Sequence, residues 1–386
     1  MKYLNLETFS DFVCTGSECP FTCCGGGWNI YIDDDTYEFY MSVKGEFGER
    51  LRKNIQKKNG KASFILDENY NCPFLNERKL CDVYLNIGEE HLCDTCTYYP
   101  RFSFRSGDIC FAGVAISCPE VSKFFLTHTE PLLIDFSDDD IPVENEDKIN
   151  WEFFNHAVRA FTGAVGIAQN RELTISERLA ILNVFIYQFQ SCVDQESDPA
   201  SVIALFSDPS SYLQILPQTN IYERDYNTKI SFISEILNYY NQLPQYRKFF
   251  PEPFQFSDFF RDPENAQITN ERWIEAFADT LNRNNEIWQE HILVYILFRY
   301  FMRGFDSCDF FNRFITGQLL IFVSIICLLS LYRIQNNHTA PLDYMALLTA
   351  HASRLVEHSS DVVDPAMSRF KEKGMLELPF ILKLIS

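Results

Sequence analysis

The chain has 386 residues, 46% hydrophobic and 22% charged, the balance of a folded, well-cored protein rather than a disordered one. That length favours two domains over a single core. A formal charge of −20 with no local basic patch argues against nucleic acid, which demands a cationic surface, and is compatible with a cationic, lysine-bearing protein partner.

In chain order, Met1-Lys2-Tyr3-Leu4-Asn5-Leu6-Glu7 has neither an apolar stretch nor a small-residue cleavage site, so no signal peptide is expected and the chain is assigned to the cytoplasm. Ten of the thirteen cysteines then follow within the first 118 residues: Cys14, Cys19, Cys23, Cys24, Cys72, Cys81, Cys93, Cys96, Cys110 and Cys118. An even spread would place about four there, so the enrichment is local. Disulfides belong to exported chains, and the vicinal Cys23-Cys24 and close Cys93-Cys96 pairs suit a shared ion better than ordinary bridges. Thiolates serve structural zinc and iron–sulfur clusters alike. Only Cys93-Asp94-Thr95-Cys96 has the zinc-knuckle form, and the irregular remainder leans toward a cluster wrapped by several loops, with zinc left open. Cys19, Cys23, Cys24, Cys72, Cys81, Cys93 and Cys96 are the candidate ligands. His91, two residues before Cys93, is read as an exposed histidine ahead of a ligand.

Alternation of Trp28, Ile30 and Ile32 predicts a half-buried strand after Gly25-Gly26-Gly27, a triplet that either lets backbone N–H groups approach an anion or is a plain turn. It is no dinucleotide fingerprint, because it precedes a strand rather than following one. A helix is expected over 34–51, with Tyr37, Tyr40 and Met41 on one face, and a solvated basic loop over 53–61. Ser106-Gly107-Asp108 marks a hairpin between strands at 102–105 and 109–116. Cys118-Pro119-Glu120 opens a helix, since proline in a first turn lacks only a dispensable N–H.

The stretch 134–150, with Asp138-Asp139-Asp140, Glu144, Glu146 and Asp147, is read as a solvated acidic boundary between domains at 1–130 and 151–386. Beyond it the apolar spacing is helical: Leu179, Leu182, Ile186, Phe189 and Val193, with Thr174 or Ser176 as cap. Similar patterns cover 230–243, 273–281, 287–301, 310–331, 342–356 and 375–385. The uncharged run 314–332 is interrupted by Gly317, Gln318, Ser324 and Ser330, and is taken as a buried core helix rather than a membrane span. Cys192, Cys308 and Cys327 are assigned to the core, and mid-strand Cys110 is read the same way. The fold class expected is mostly α: a small α+β cysteine-cluster domain with a short hairpin, then an irregular multi-helix domain.

Cys14-Thr15-Gly16-Ser17-Glu18-Cys19-Pro20-Phe21-Thr22-Cys23-Cys24 running into Trp28-Asn29-Ile30-Tyr31-Ile32-Asp33 resembles the start of the flagellin lysine-N-methylases. So do Cys72-Pro73-Phe74-Leu75 with Cys81, Cys93-x2-Cys96-x2-Tyr99-Pro100-Arg101, and Ser117-Cys118-Pro119-Glu120. Over about the first 120 residues the resemblance implies methylation of flagellin lysines with S-adenosylmethionine, in a protein holding a four-iron (4Fe-4S) cluster. Related short cysteine-cluster proteins are described as zinc or iron chelators, which implies a non-catalytic metal-binding scaffold as the rival. Methyl transfer needs a neutral lysine, and Tyr98, Tyr99, Asp94 and Glu120 are the proton acceptors near the cysteines, none singled out. Arg101 either holds the donor's carboxylate as a bidentate pair or braces Asp94. Neither the glycine-rich methyltransferase sheet nor the Cys-x3-Cys-x2-Cys triplet of radical enzymes is present.

Overall fold

The computed structural model describes residues 2–7, 12–19, 22–25, 28–138, 149–223, 225–241, 266–282, 287–358 and 360–386. Gly26 and Gly27 of the glycine triplet, the acidic residues 139–148 and the end of the helix expected over 230–243 lie outside them. The described strands are β1 (Lys2–Leu6), β2 (Tyr31–Ile32), β3 (Ile55–Lys58), β4 (Lys61–Phe64), β5 (Arg101–Ser106), β6 (Ile109–Val114) and β7 (Ile134–Asp138). They make two sheets, ordered β5-β6-β1-β7 and β2-β4-β3. In the larger sheet β1 runs parallel to β6 and antiparallel to β7. The expected hairpin is there: Ser106 pairs with Ile109 across Gly107, whose φ of +60° suits glycine, and a Cβ would meet the Phe154 ring at 2.4 Å.

Three local expectations change. The stretch 53–61 is not a solvated loop but the β3–β4 hairpin, turned by Asn59 and Gly60 at φ of 51° and 79°. Asn-Gly is the dipeptide that tolerates two successive positive φ values, and that signal outweighs the lysines around it. The helix over 34–51 is two: α1 (Asp34–Ser42) and α2 (Gly45–Lys53). The chain bends at Val43-Lys44, where Arg52 donates to the Met41 and Val43 carbonyls at 3.3 and 2.7 Å and satisfies the end of α1. Trp28, Ile30 and Ile32 are buried and Tyr31 exposed, as the alternation requires, yet only Tyr31 and Ile32 pair, with Ser63 and Ala62.

α3 (Asp82–Ile87), α4 (Asp94–Tyr98) and α5 (Pro119–Thr127) complete the first third, α5 opening at Cys118 as expected. Helices then dominate, and the fold is mostly α with a small α+β region at the N-terminus. Thr174 caps the helix Ile175–Asp194 in a reciprocal capping box with Glu177. Leu179, Leu182, Ile186 and Phe189 are fully buried along it. The inner face of the larger sheet packs on these helices: the Phe111 ring meets Phe161 at 5.9 Å and Phe298 at 5.4 Å. The small sheet builds a separate core with Tyr40, Phe64, Phe74, Cys72 and Cys93.

By length and composition the helix Phe310–Asn336 could cross a membrane, but 94% of its most apolar window is buried inside the protein. Its centre widens into a π-helical turn, Gln318–Val323, where buried Gln318 accepts a hydrogen bond from Asn183 at 2.9 Å. Cys327 is buried as expected, Cys192 is half-buried, and Cys308 is exposed. Cys308 ends a short helical turn at φ +52°, so its position is set by chain reversal, not by apolar packing.

Candidate metal centre

Three segments bring the cysteines together. In the first, Cys23 and Cys24 sit in a short 3-10 turn, and the Trp28 indole donates to the Cys23 carbonyl at 3.0 Å. In the second, the Cys72 N–H donates to the Cys24 carbonyl at 2.7 Å, joining two segments some fifty residues apart in sequence, Cys24 and Cys72, by backbone alone. Arg50 clamps this segment, donating to the Pro73 carbonyl and to Asp82, both at 2.7 Å, so that Cys81 at the start of α3 is held beside Cys72. The third segment carries Cys93 at the N-cap of α4 and Cys96 inside it. Asp33 fixes α4 to α1, accepting from the N–H groups of Asp94 and Thr36, both at 2.9 Å. Thr95 donates to the Tyr31 carbonyl at 2.7 Å, and buried Tyr40 donates to the His91 carbonyl at 2.8 Å.

Six of the seven candidate ligands share one electrostatic neighbourhood. Burial pushes the Cys72 thiol up to about 12, and Cys81, Cys23 and Cys93 add to that push. Burial also raises Cys81, with Cys23 contributing. Cys23 is raised by its hydrogen bond with Cys24 and by burial, and Cys96 by its hydrogen bond with Cys93, by burial, and by Cys24 and Cys72. Cys93 moves the other way, its thiolate stabilised by the Cys96 hydrogen bond. Cys19, the seventh, lies beside Cys118, whose thiol burial lifts to about 11. Cys110 sits mid-strand in β6, and Cys14 is exposed.

Among the described residues, no group of three or more His, Cys, Asp or Glu side chains stands at metal-binding geometry. What converges is a set of soft donors on anchored backbone, Cys72 and Cys93 buried and the other four half-buried, with the Cys96 hydrogen bond shifting Cys93 toward the thiolate. That donor chemistry fits a thiolate-ligated centre, because a soft cation binds the thiolate and its binding releases the thiol protons to solvent. His91 turns away: its ring stacks on Phe39 at 3.9 Å. Arg101 is exposed and donates to the Phe12 carbonyl at 2.7 Å with its guanidinium over the Phe12 ring, so its partner is Phe12 rather than Asp94. Of the proposed proton acceptors, Tyr98 is exposed and Tyr99 is half-buried, packed against Trp28.

Sequence reading missed the helical side of this region. Arg354, 1% exposed on the helix Leu342–Glu357, donates to the Ser117 carbonyl at 2.8 Å and interacts electrostatically with Tyr99, Cys23 and Cys118. Beside it His358 meets Ser117 Oγ at 3.0 Å and lies 4.5 Å from the Trp28 ring. No local pattern marks Arg354 or His358, which reach the cysteines only through tertiary packing. Arg299 had a signal: a lone charge within the apolar run from Ile292 to Met302.

Residues 163–384 match the family model of the FliB lysine N-methylase C-terminal domain. The chain belongs to that family. Curated relatives include the flagellar biosynthetic protein FliU of Salmonella muenchen, 29% identical over 132 residues, which cover 32% of this chain and 76% of FliU. They also include the lysine-N-methylases of Salmonella typhimurium and Salmonella choleraesuis, each 29% identical over 132 residues, or 32% of this chain and 32% of theirs. This chain therefore matches about a third of the length of those two lysine-N-methylases. No solved structure matches it.

Proposed function

We propose that this chain is a cytoplasmic protein-lysine N-methyltransferase that modifies bacterial flagellin, takes its methyl group from S-adenosylmethionine, and holds an iron–sulfur cluster on four of the thiols of Cys23, Cys24, Cys72, Cys81, Cys93 and Cys96. The observation that carries the reading is the convergence of those six thiols from three segments, in a member of a lysine N-methylase family. The relatives' names support both methyl transfer and a flagellar target. When bound, such a cluster supplies a fixed anionic, electron-accepting centre. The protein's own task is then positional. It presents a substrate lysine as the neutral amine, and the amine forms its new N–C bond as the donor's C–S bond breaks, the electron pair remaining on sulfur and the ammonium proton passing to an acceptor. A net charge of −20 favours the approach of a lysine-bearing surface.

Co-expression with flagellin, followed by intact-mass and peptide mass spectrometry, tests the reading: methyl increments on flagellin lysines are expected. Unchanged lysine masses beside a fully loaded centre would sink it and leave a non-catalytic iron- or zinc-binding scaffold. Anaerobic purification with iron, sulfide and zinc analysis decides the metal.

A further inference from the structure

A second buried polar group lies between β5, the helix Ile287–Tyr300 and the end of the helix Leu342–Glu357. Glu357, its side chain fully buried, accepts from Arg299 Nε at 3.0 Å and from the Tyr295 hydroxyl. Arg299, 8% exposed, sits over the Phe102 ring, its Cζ 3.8 Å from the centroid. Arg354 and His358 both engage Ser117, and Glu357, the residue before His358, holds Arg299, so the two guanidiniums belong to one buried region. Trp28, Tyr99 and His358 form an aromatic wall there, with ring separations of 4.5 to 5.7 Å.

This group is incomplete in two ways. Glu357 Oε2, Arg299 Nη1 and Arg354 Nη2 are buried without a hydrogen bond of normal geometry among the described residues. Each such orphan is unfavourable when buried, more so when charged, unless something occupies it. The charges also fail to balance, because Glu357 pairs with Arg299 while buried Arg354 has no carboxylate partner among the described residues. A ligand that supplies an anion to the guanidiniums and a cationic donor to Glu357 would satisfy every orphan at once. An α-amino-carboxylate carries that pair on a single carbon.

The geometry points to a buried binding site for an α-amino-carboxylate at Arg299, Arg354 and Glu357, walled by Trp28, Tyr99 and His358, which receives the amino-acid end of the methyl donor. The assignment of the donor rests on the methyltransferase reading above; the amino-carboxylate chemistry does not. The site adjoins the thiols through Arg354, which acts on Cys23. Arg101, the sequence's candidate for the donor carboxylate, is exposed and engaged on Phe12.

Isothermal titration of the holoprotein with S-adenosylhomocysteine, with 5′-methylthioadenosine, which lacks the amino-carboxylate, and with methionine tests the site. S-Adenosylhomocysteine should bind the wild type far more tightly than methylthioadenosine, and Glu357→Gln or Arg299→Gln should weaken it about 10- to 100-fold at unchanged metal content. Equal affinity for S-adenosylhomocysteine and methylthioadenosine in the wild type overturns the site whatever the variants do. Tight S-adenosylhomocysteine binding that survives both substitutions in folded protein also overturns it, with the methyltransferase reading intact. Methionine binding that depends on Glu357, without any nucleoside binding, keeps the site and removes the methyl donor. Failure to bind any of the three overturns the site, and flagellin masses then judge the methyltransferase separately.

Discussion

Glu290 offers a quantitative test of how the helical half is held together. Its carboxylate is 1% exposed and accepts from Arg171 at 2.9 and 3.0 Å and from Arg178 at 3.3 Å. Arg178 is itself 1% exposed, and its other contacts are the neutral carbonyls of Leu173 and Ala168 at 3.0 and 3.1 Å. Glu290→Gln keeps the shape and removes the charge, which strands a buried guanidinium; that class of change costs about 3–5 kcal/mol. Arg171 is 39% exposed, so Arg171→Gln removes a partly screened partner, at about 1 kcal/mol. For a cooperative unit of the size of the matched region, the first loss lowers the melting midpoint on the order of 10 °C and the second by about 3 °C. Thermal melts and urea titrations of the two variants, read side by side by circular dichroism, make the comparison. A Glu290→Gln shift no larger than that of Arg171→Gln would refute the claim that Arg178 depends on this carboxylate.

Other outcomes are expected. Cys93→Ser and Cys96→Ser should each deplete bound iron or zinc, whereas Cys110→Ser in β6 should leave metal analysis unchanged; intact metal content in both of the first two would remove α4 from the centre. Asp33 anchors α1 and α4, and although burial opposes it, the Asp94 and Thr36 N–H groups hold its carboxyl below 3.8. Its stabilisation is therefore present above the ordinary carboxylate range and lost as pH falls below it, and Asp33→Ala should cost about 1–2 kcal/mol at pH 7 in a chemical-denaturation curve. Burial, with Arg299 and Arg354 nearby, holds His358 at about 3 against 6.5 in the unfolded chain. Between those values the unfolded chain takes up a proton that the folded one refuses, so stability drops as pH falls below 6.5; His358→Gln should show a shallower decline over that window. Gly107→Ala should destabilise by about 1–3 kcal/mol, since it puts a side chain at positive φ and against Phe154; a melt superimposable on wild type would contradict that close approach.

Elements whose causes are local were legible along the chain. Ser106-Gly107-Asp108 turns the β5–β6 hairpin, Pro119 opens α5, Thr174 with Glu177 caps the helix Ile175–Asp194, and the spacing of Leu179, Leu182, Ile186 and Phe189 selects its buried face. The β3–β4 hairpin was equally legible in Asn59-Gly60 but hidden by its lysines, a reminder that turn chemistry outranks polarity. The cysteine spacing marked a thiolate region without saying which thiols meet. Which segments meet was decided by tertiary contacts: the Cys72 to Cys24 backbone bond, the Arg50 clamp and the Asp33 link between α1 and α4 place six thiols in one electrostatic neighbourhood. The same holds for Arg299, Arg354, Glu357 and His358. His358 meets Trp28 and Tyr99, and Arg354 acts on Tyr99, across more than two hundred residues of chain because helix packing buries them together, and no periodicity along one segment encodes a contact of that range.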